Sequence, residues 1–326
     1  MDHRGQLRRS SGYRTAAAAL LALATTIGIA TSAHAAPSMH TPLAWQENLS
    51  KPVSSTNIEQ SAGAVRIADR RMHPAAQAGA PGYGMEVLTP HPLSTPVNRI
   101  RSTVTDTVPS GARVIVEVRG QLSDKSWTEW APSPTTFRSQ ASVVQVRVTL
   151  WDNKSGQSPT VSGLAVATKL GRAPSIVAGP HAPAQESYQV YATREGLVGG
   201  TTANGHVIVD NDHFVALPSG SVLSNQGTDD YSVQVCGPSA CETAPVWDIG
   251  PWNIYDDYWD ANRAEFTDLA QGTPEAEAAY DNGYNNGIDD EGGTVLNPAG
   301  IDLADGTFYD VGLNDNGYVT VTYLWT

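Results

Sequence analysis

Apolar and polar residues alternate through residues 113–119, Arg-Val-Ile-Val-Glu-Val-Arg, and again through 142–150, Ser-Val-Val-Gln-Val-Arg-Val-Thr-Leu. A period of two places successive side chains on opposite faces of a sheet, so these segments fold as half-buried strands. Shorter runs of the same kind fall at 64–68, 162–168, 188–193, 206–209, 214–217 and 318–325, with Gly, Pro, Asp and Asn clusters between them. Short strands parted by turn residues predict a mainly β chain. One segment reads as a helix, residues 273–280. Thr273 is its N-cap, Pro274 its first helical position, and Glu275 and Glu277 lie in its first turn.

The N-terminus carries Arg4, Arg8, Arg9 and Arg14, an apolar run over 16–30, and Ser32-Ala33-His34-Ala35. These are the three parts of a secretory signal peptide, residues 1–35, cut after Ala35 or Ala36. The apolar run is too short to span a bilayer, and no other segment comes close. Residues 36–82, rich in Pro, Ala, Ser and Gly, read as an extended, poorly ordered segment with one short strand. Residues 83–168 read as a β-sandwich and 169–186, with Pro174, Gly179, Pro180 and Pro183, as a linker. Residues 187–326 form a second β domain.

Charge narrows the partners. The chain has 20 Lys and Arg against 33 Asp and Glu; loss of the signal peptide leaves 16 against 32. From Glu186 onward 23 acids face two basic residues, Arg194 and Arg263. Such a surface repels nucleic acid, anionic membrane and anionic wall polymers, and is compatible with neutral glycans, cations or basic proteins. Cys236 and Cys241 are the only cysteines and are flanked by strand-like segments, so in an oxidising compartment they read as a disulfide pinning a hairpin turn. Trp127, Trp130 and Trp151 are candidates for sugar stacking. Trp127 and Trp130 are three apart and face opposite sides of a regular strand, which favours half-buried sandwich aromatics.

Four stretches of the second domain stand out in order: Thr201-Thr202-Ala203-Asn204-Gly205; His213 shortly before Leu217-Pro218; Asp248-Ile249-Gly250-Pro251; and Ile301-Asp302-Leu303. Together they resemble the rare lipoprotein A-like double-psi β-barrels, the group that includes expansins and family 45 endoglucanases, over residues 188–326. The resemblance implies a six-stranded double-psi barrel, with Asp248 as a general acid and His213 its partner across a groove. In the peptidoglycan-cleaving members these positions serve a lytic transglycosylase; Thr202 would line the groove and Asp302 would be structural. A general acid needs a carboxyl kept protonated by apolar burial, which Trp247, Ile249 and Trp252 can supply. The bland alternatives are a hydrogen-bonded histidine at a strand start and a carboxylate capping a Gly-Pro turn. Ile249 stands where the family carries Arg, Asn204 and His206 replace Ser and Glu, and residues 253–297 form a long insertion.

Trp252 and, in the insertion, Tyr258 and Trp259 are candidate sugar contacts, and the insertion also holds an acid-rich run at 281–291 whose spacing does not fit an EF-hand. It reads as a solvated loop, and no motif implies a cofactor or metal. Three functions follow as expectations: a secreted glycan-cleaving enzyme acting through Asp248 and His213, an expansin-like module that binds polysaccharide or peptidoglycan glycan without cutting, and a barrel that binds a secreted protein such as a protease.

Overall fold

The computed structural model describes residues 43–76, 80–171 and 185–326. The expected signal peptide and most of the expected linker lie outside them. Ten strands precede the linker: β1 (Leu43–Gln46), β2 (Pro52–Thr56), β3 (Ile58–Ser61), β4 (Ala64–Ile67), β5 (Tyr83–Leu88), β6 (His91–Thr107), β7 (Arg113–Gln121), β8 (Ala131–Pro132), β9 (Thr135–Trp151) and β10 (Thr160–Lys169). They form one sheet in the order β2-β5-β9-β6-β10-β4-β3, with β1 on β10 and β7 joined to β8 and β9, curled into a nearly closed, barrel-like body. The stretch expected to be extended with a single strand carries four, because β1 and β2 to β4 pair with later strands rather than with each other alone.

Six strands follow: β11 (Ser187–Glu195), β12 (Val215–Leu217), β13 (Ser232–Cys236), β14 (Cys241–Ile249), β15 (Ala299–Ala304) and β16 (Gly317–Tyr323). They close into a barrel in the order β11-β15-β12-β14-β13-β16. β11–β15 and β12–β14 are parallel and the other pairs antiparallel. Exchanging β11–β13 for β14–β16 leaves this pairing scheme unchanged, so two interleaved three-strand halves build the double-psi barrel. The disulfide joins Cys236 to Cys241, which face each other at the β13–β14 hairpin.

Between β14 and β15 runs the long insertion. Its helix α1 (Glu275–Asn282) begins one residue later than expected, with Pro274 rather than Thr273 as the cap and no side-chain capping bond. Gly283, in the left-handed region, ends it and returns its N–H to Ala278 and Ala279. A short helix α2 (Asp305–Asp310) links β15 to β16.

Sheet and barrel belong to one compact unit. Tyr83, Met85, Val87, Trp130 and Trp151 from the sheet share a continuous buried core with Val190, Val233, Val246, Leu303 and Tyr323 from the barrel. Polar contacts cross the same boundary. The Trp130 amide donates to the Ser221 carbonyl (2.7 Å), the Tyr231 hydroxyl to the Thr128 carbonyl (2.6 Å), and buried Arg119 pairs with Asp230 (2.9 Å). Among the described residues no helix is long and apolar enough to cross a membrane.

Candidate functional site

Along β14 the buried side chains Ala244, Val246 and Asp248 alternate with half-buried Pro245 and Trp247, which carries Asp248 into the barrel. It is fully buried there. Its Oδ1 accepts from the amides of Ala203 (2.7 Å) and Ile249 (2.8 Å), and its Oδ2 from the amide of Ala76 (3.1 Å). The Ala203 donor is set by the loop after β11. Gly205, at φ +93°, closes a turn onto the Thr202 carbonyl, and the Thr202 hydroxyl donates to Asn204 Oδ1 (2.7 Å). Thr202 is thereby buried and engaged within its own loop.

The Ala76 donor comes from the other body. The chain between β4 and β5 reaches over the barrel end, where the Ala75 amide donates to the Thr201 carbonyl (3.0 Å). Ala75 packs with Ile208, Phe214 and Ala304, against Trp247. This contact closes the groove above Asp248.

Two further carboxyls share the barrel end. Glu195 terminates β11 and is 3% exposed, with no hydrogen-bond donor facing either oxygen. Asp302 on β15 sits in register with Thr193, whose hydroxyl donates to it, and with Ala216, which in turn pairs with Asp248. Burial drives all three upward. Asp248 rises to about 6 against the opposing hydrogen bonds of Glu195 and three amides, and Asp302 to about 7 with the Asp248 charge adding to burial. Glu195 rises well above its ordinary value, from burial first and then from the charges of Asp248 and Asp302. Carboxyls buried beside one another favour their neutral forms, so this centre resists ionisation.

His213 does not join it. Its Nδ1 lies 2.7 Å from Glu242 Oε1 and its Nε2 faces Asn211 (3.5 Å). Glu242 precedes Asp248 by six residues on β14, roughly 20 Å along a strand at about 3.3 Å per residue. The expected Asp248–His213 pair is therefore not formed: His213 meets Glu242, and Asp248 meets the amides of Ala203, Ile249 and Ala76. In the parallel register Val215 stands beside Val246 and Ala216 beside Asp248, so His213, which precedes β12, lies back toward the start of β14 and away from its Asp248 end. His213, Glu242 and Asp310 present ligand atoms within 4.8 Å of one another, a spacing that a metal ion could bridge.

The insertion is mostly self-satisfied. Asp256 pairs with Arg263 and caps the Glu275 amide (2.7 Å); Asp289 accepts from Gly293 (2.6 Å) and Asp290 from Ile254 (2.8 Å). Trp252, at φ +63°, is half-buried and donates to Asn297 (3.1 Å). Tyr258 is fully buried, donating to the Gly300 carbonyl (3.0 Å), and Trp259, also buried, stacks on Tyr323 at 5.1 Å.

Where the insertion meets the sheet, a cavity of about 900 Å³ opens. Trp127, Trp130, Trp151, Tyr255, Trp259 and Trp325 line it, as do Glu129, Asp257 and Asp260. Trp127 and Trp130 reach the same space although three apart, because the chain leaves the strand after an isolated bridge between Gln121 and Trp127. Arg119 lies 4.2 Å above the Trp127 ring and 4.6 Å above Trp130. Glu129 Oε1 accepts from the indoles of Trp259 (3.0 Å) and Trp325 (2.8 Å). Burial raises Glu129 to about 7, and Asp257, which accepts from the Ala264 amide (2.7 Å), to about 6. Sequence reasoning passed over Glu129. The signal available was its place between two tryptophans in Trp127-Thr128-Glu129-Trp130.

Residues 186–322, the barrel with its insertion, match the family model described as a domain of unknown function, DUF8814. No curated protein and no solved structure matches the chain.

Proposed function

We propose that this is an exported, polysaccharide-directed protein that binds a neutral glycan in the aromatic-walled cavity between its sheet and its barrel. The observation that carries the reading is the combination lining one cavity: eight aromatic rings with Glu129, Asp257 and Asp260. Concave, mostly apolar sites with a few convergent polar groups are the usual form of small-ligand sites. A sugar ring presents apolar C–H faces to aromatic planes and hydroxyls to carboxylates, which suits both kinds of lining group. The acidity of the chain, with 33 acids against 20 bases, disfavours anionic polymers and leaves neutral glycans as ligands.

Between the binding and cleaving readings of the barrel, geometry favours binding. Asp248 has the proton affinity of a general acid but is fully buried beneath the Ala75–Ala76 contact, and the histidine expected to assist it is engaged with Glu242. Calorimetric titration with soluble β-1,4-linked hexasaccharides of glucose and of N-acetylglucosamine tests the proposal. Saturable binding weakened by Trp127→Ala supports it; absence of binding to both sinks it.

A further inference from the structure

The mouth of the cavity carries more than a binding surface. One oxygen from each of Glu129, Asp257 and Asp260 lies within 4.8 Å of the others. The three groups are held differently. Both indoles donate to Oε1 of Glu129 and fix the carboxyl in place. Asp260 is paired with Arg138 at 3.6 Å and caps the Asn262 amide (2.8 Å). Asp257 is anchored on the Ala264 amide. A separate observation also points to a ligand. Arg147 lines the same cavity with its side chain 3% exposed, and its Nη1 has no hydrogen-bond partner among the described residues. A buried guanidinium N–H without an acceptor costs free energy that a ligand hydroxyl would recover.

We propose that this cavity is a glycoside-hydrolysing site, with Glu129 as the proton donor and Asp260 as the carboxylate that meets the anomeric carbon. The proposal rests on the glycan reading of the cavity and adds an activity to it. The close spacing matches retaining glycosidases, whose carboxyls stand about 5 Å apart, rather than inverting ones at about 6.5–9.5 Å. In the first step Glu129 passes its proton to the glycosidic oxygen, the bond from the anomeric carbon to that oxygen breaks, and its electron pair stays on the departing sugar. Asp260 forms an ester to the anomeric carbon. Water then replaces Asp260, giving its proton to Glu129, so both groups return to their starting forms. Glu129 holds its proton near neutrality because burial raises it to about 7. Asp257 orders the third side of the site through its anchored carboxyl.

The test uses the mature chain with the glucose and N-acetylglucosamine β-1,4 hexasaccharides, following binding by calorimetry and bond cleavage by proton NMR of the anomeric signals. Wild type should release shorter sugars that first appear as the β anomer. Glu129→Gln, which keeps an acceptor for both indoles, should slow cleavage at least about 100-fold with binding within about threefold of wild type. Asp260→Asn, at a half-buried position, should do the same, and matching thermal unfolding would show that both variants fold. Binding without cleavage by wild type, or wild-type rates in either variant, would overturn the acid pair while leaving the binding reading intact. No binding of either hexasaccharide would overturn both.

Discussion

Glu195 and Asp248 are both buried at the end of the barrel, and the Asp248 charge adds to burial in driving Glu195 toward its neutral form. Glu195 is the last residue of β11 and Asp248 the penultimate residue of β14, strands that the internal symmetry of the barrel exchanges, so the two carboxyls stand at matching strand ends of its two halves.

A pH dependence of stability follows. In the folded state Asp248 titrates at about 6, Asp302 at about 7 and Glu195 well above its ordinary value, and buried Glu86 in the sheet is raised to about 7. Below about pH 4 all are neutral whether folded or not, and nothing is lost. As pH rises from there through about 7, the unfolded chain ionises while the folded chain holds its protons, so stability falls. The melting temperature should drop by roughly 5 °C or more between pH 5 and pH 8, and Glu195→Gln should flatten that slope. A melting temperature that rises over this interval would contradict the account.

The clasp over Asp248 can be measured from both sides. Ala76→Pro removes the amide that donates to Oδ2 and should cost about 1–2 kcal/mol in urea unfolding. Asp248→Ala strands three amides at once and should cost about 3 kcal/mol or more. Equal, negligible effects would mean that the closed groove contributes nothing to the fold.

The tryptophans of the cavity separate by burial. Trp259, fully buried and stacked on Tyr323, should cost about 3–5 kcal/mol when replaced by Ala. Trp127 is half-buried beneath Arg119, so Trp127→Ala should cost only about 1 kcal/mol, chiefly through the lost cation–π contact. Denaturant midpoints of the two variants check the order.

The Cys236–Cys241 bridge closes a loop of sequence separation 5. Chain-entropy arguments for so short a loop give about 2 kcal/mol, so the double Ser variant should remain folded with a modestly lowered denaturation midpoint. Complete unfolding of that variant would assign the bridge a larger role.

Local periodicity carried most of the fold. The alternation at 113–119 and 142–150 lies within β7 and β9, and the Thr-Pro-Glu start lies within two residues of α1. The motifs around Asp248 and Asp302 converge because β14 and β15 both flank β12, and the loop after β11 brings the Ala203 amide to Asp248. What could not be read were contacts set by long-range register. Ala76 reaches Asp248 across 172 residues, and Glu129 meets Trp325 across 196. His213 looked close to Asp248 by motif order. Parallel pairing of β12 with the end of β14 instead leaves it back along the strand from Asp248, where its side chain meets Glu242, a relationship that no local spacing encodes.

The account stands most directly on the cavity between sheet and barrel. Titrating the mature protein with the neutral β-1,4 hexasaccharides while recording binding heat should give a saturable isotherm for wild type. Trp127→Ala should bind at least about tenfold more weakly at nearly unchanged stability. No binding by wild type, or equal affinity in the variant, would contradict a glycan site in this cavity.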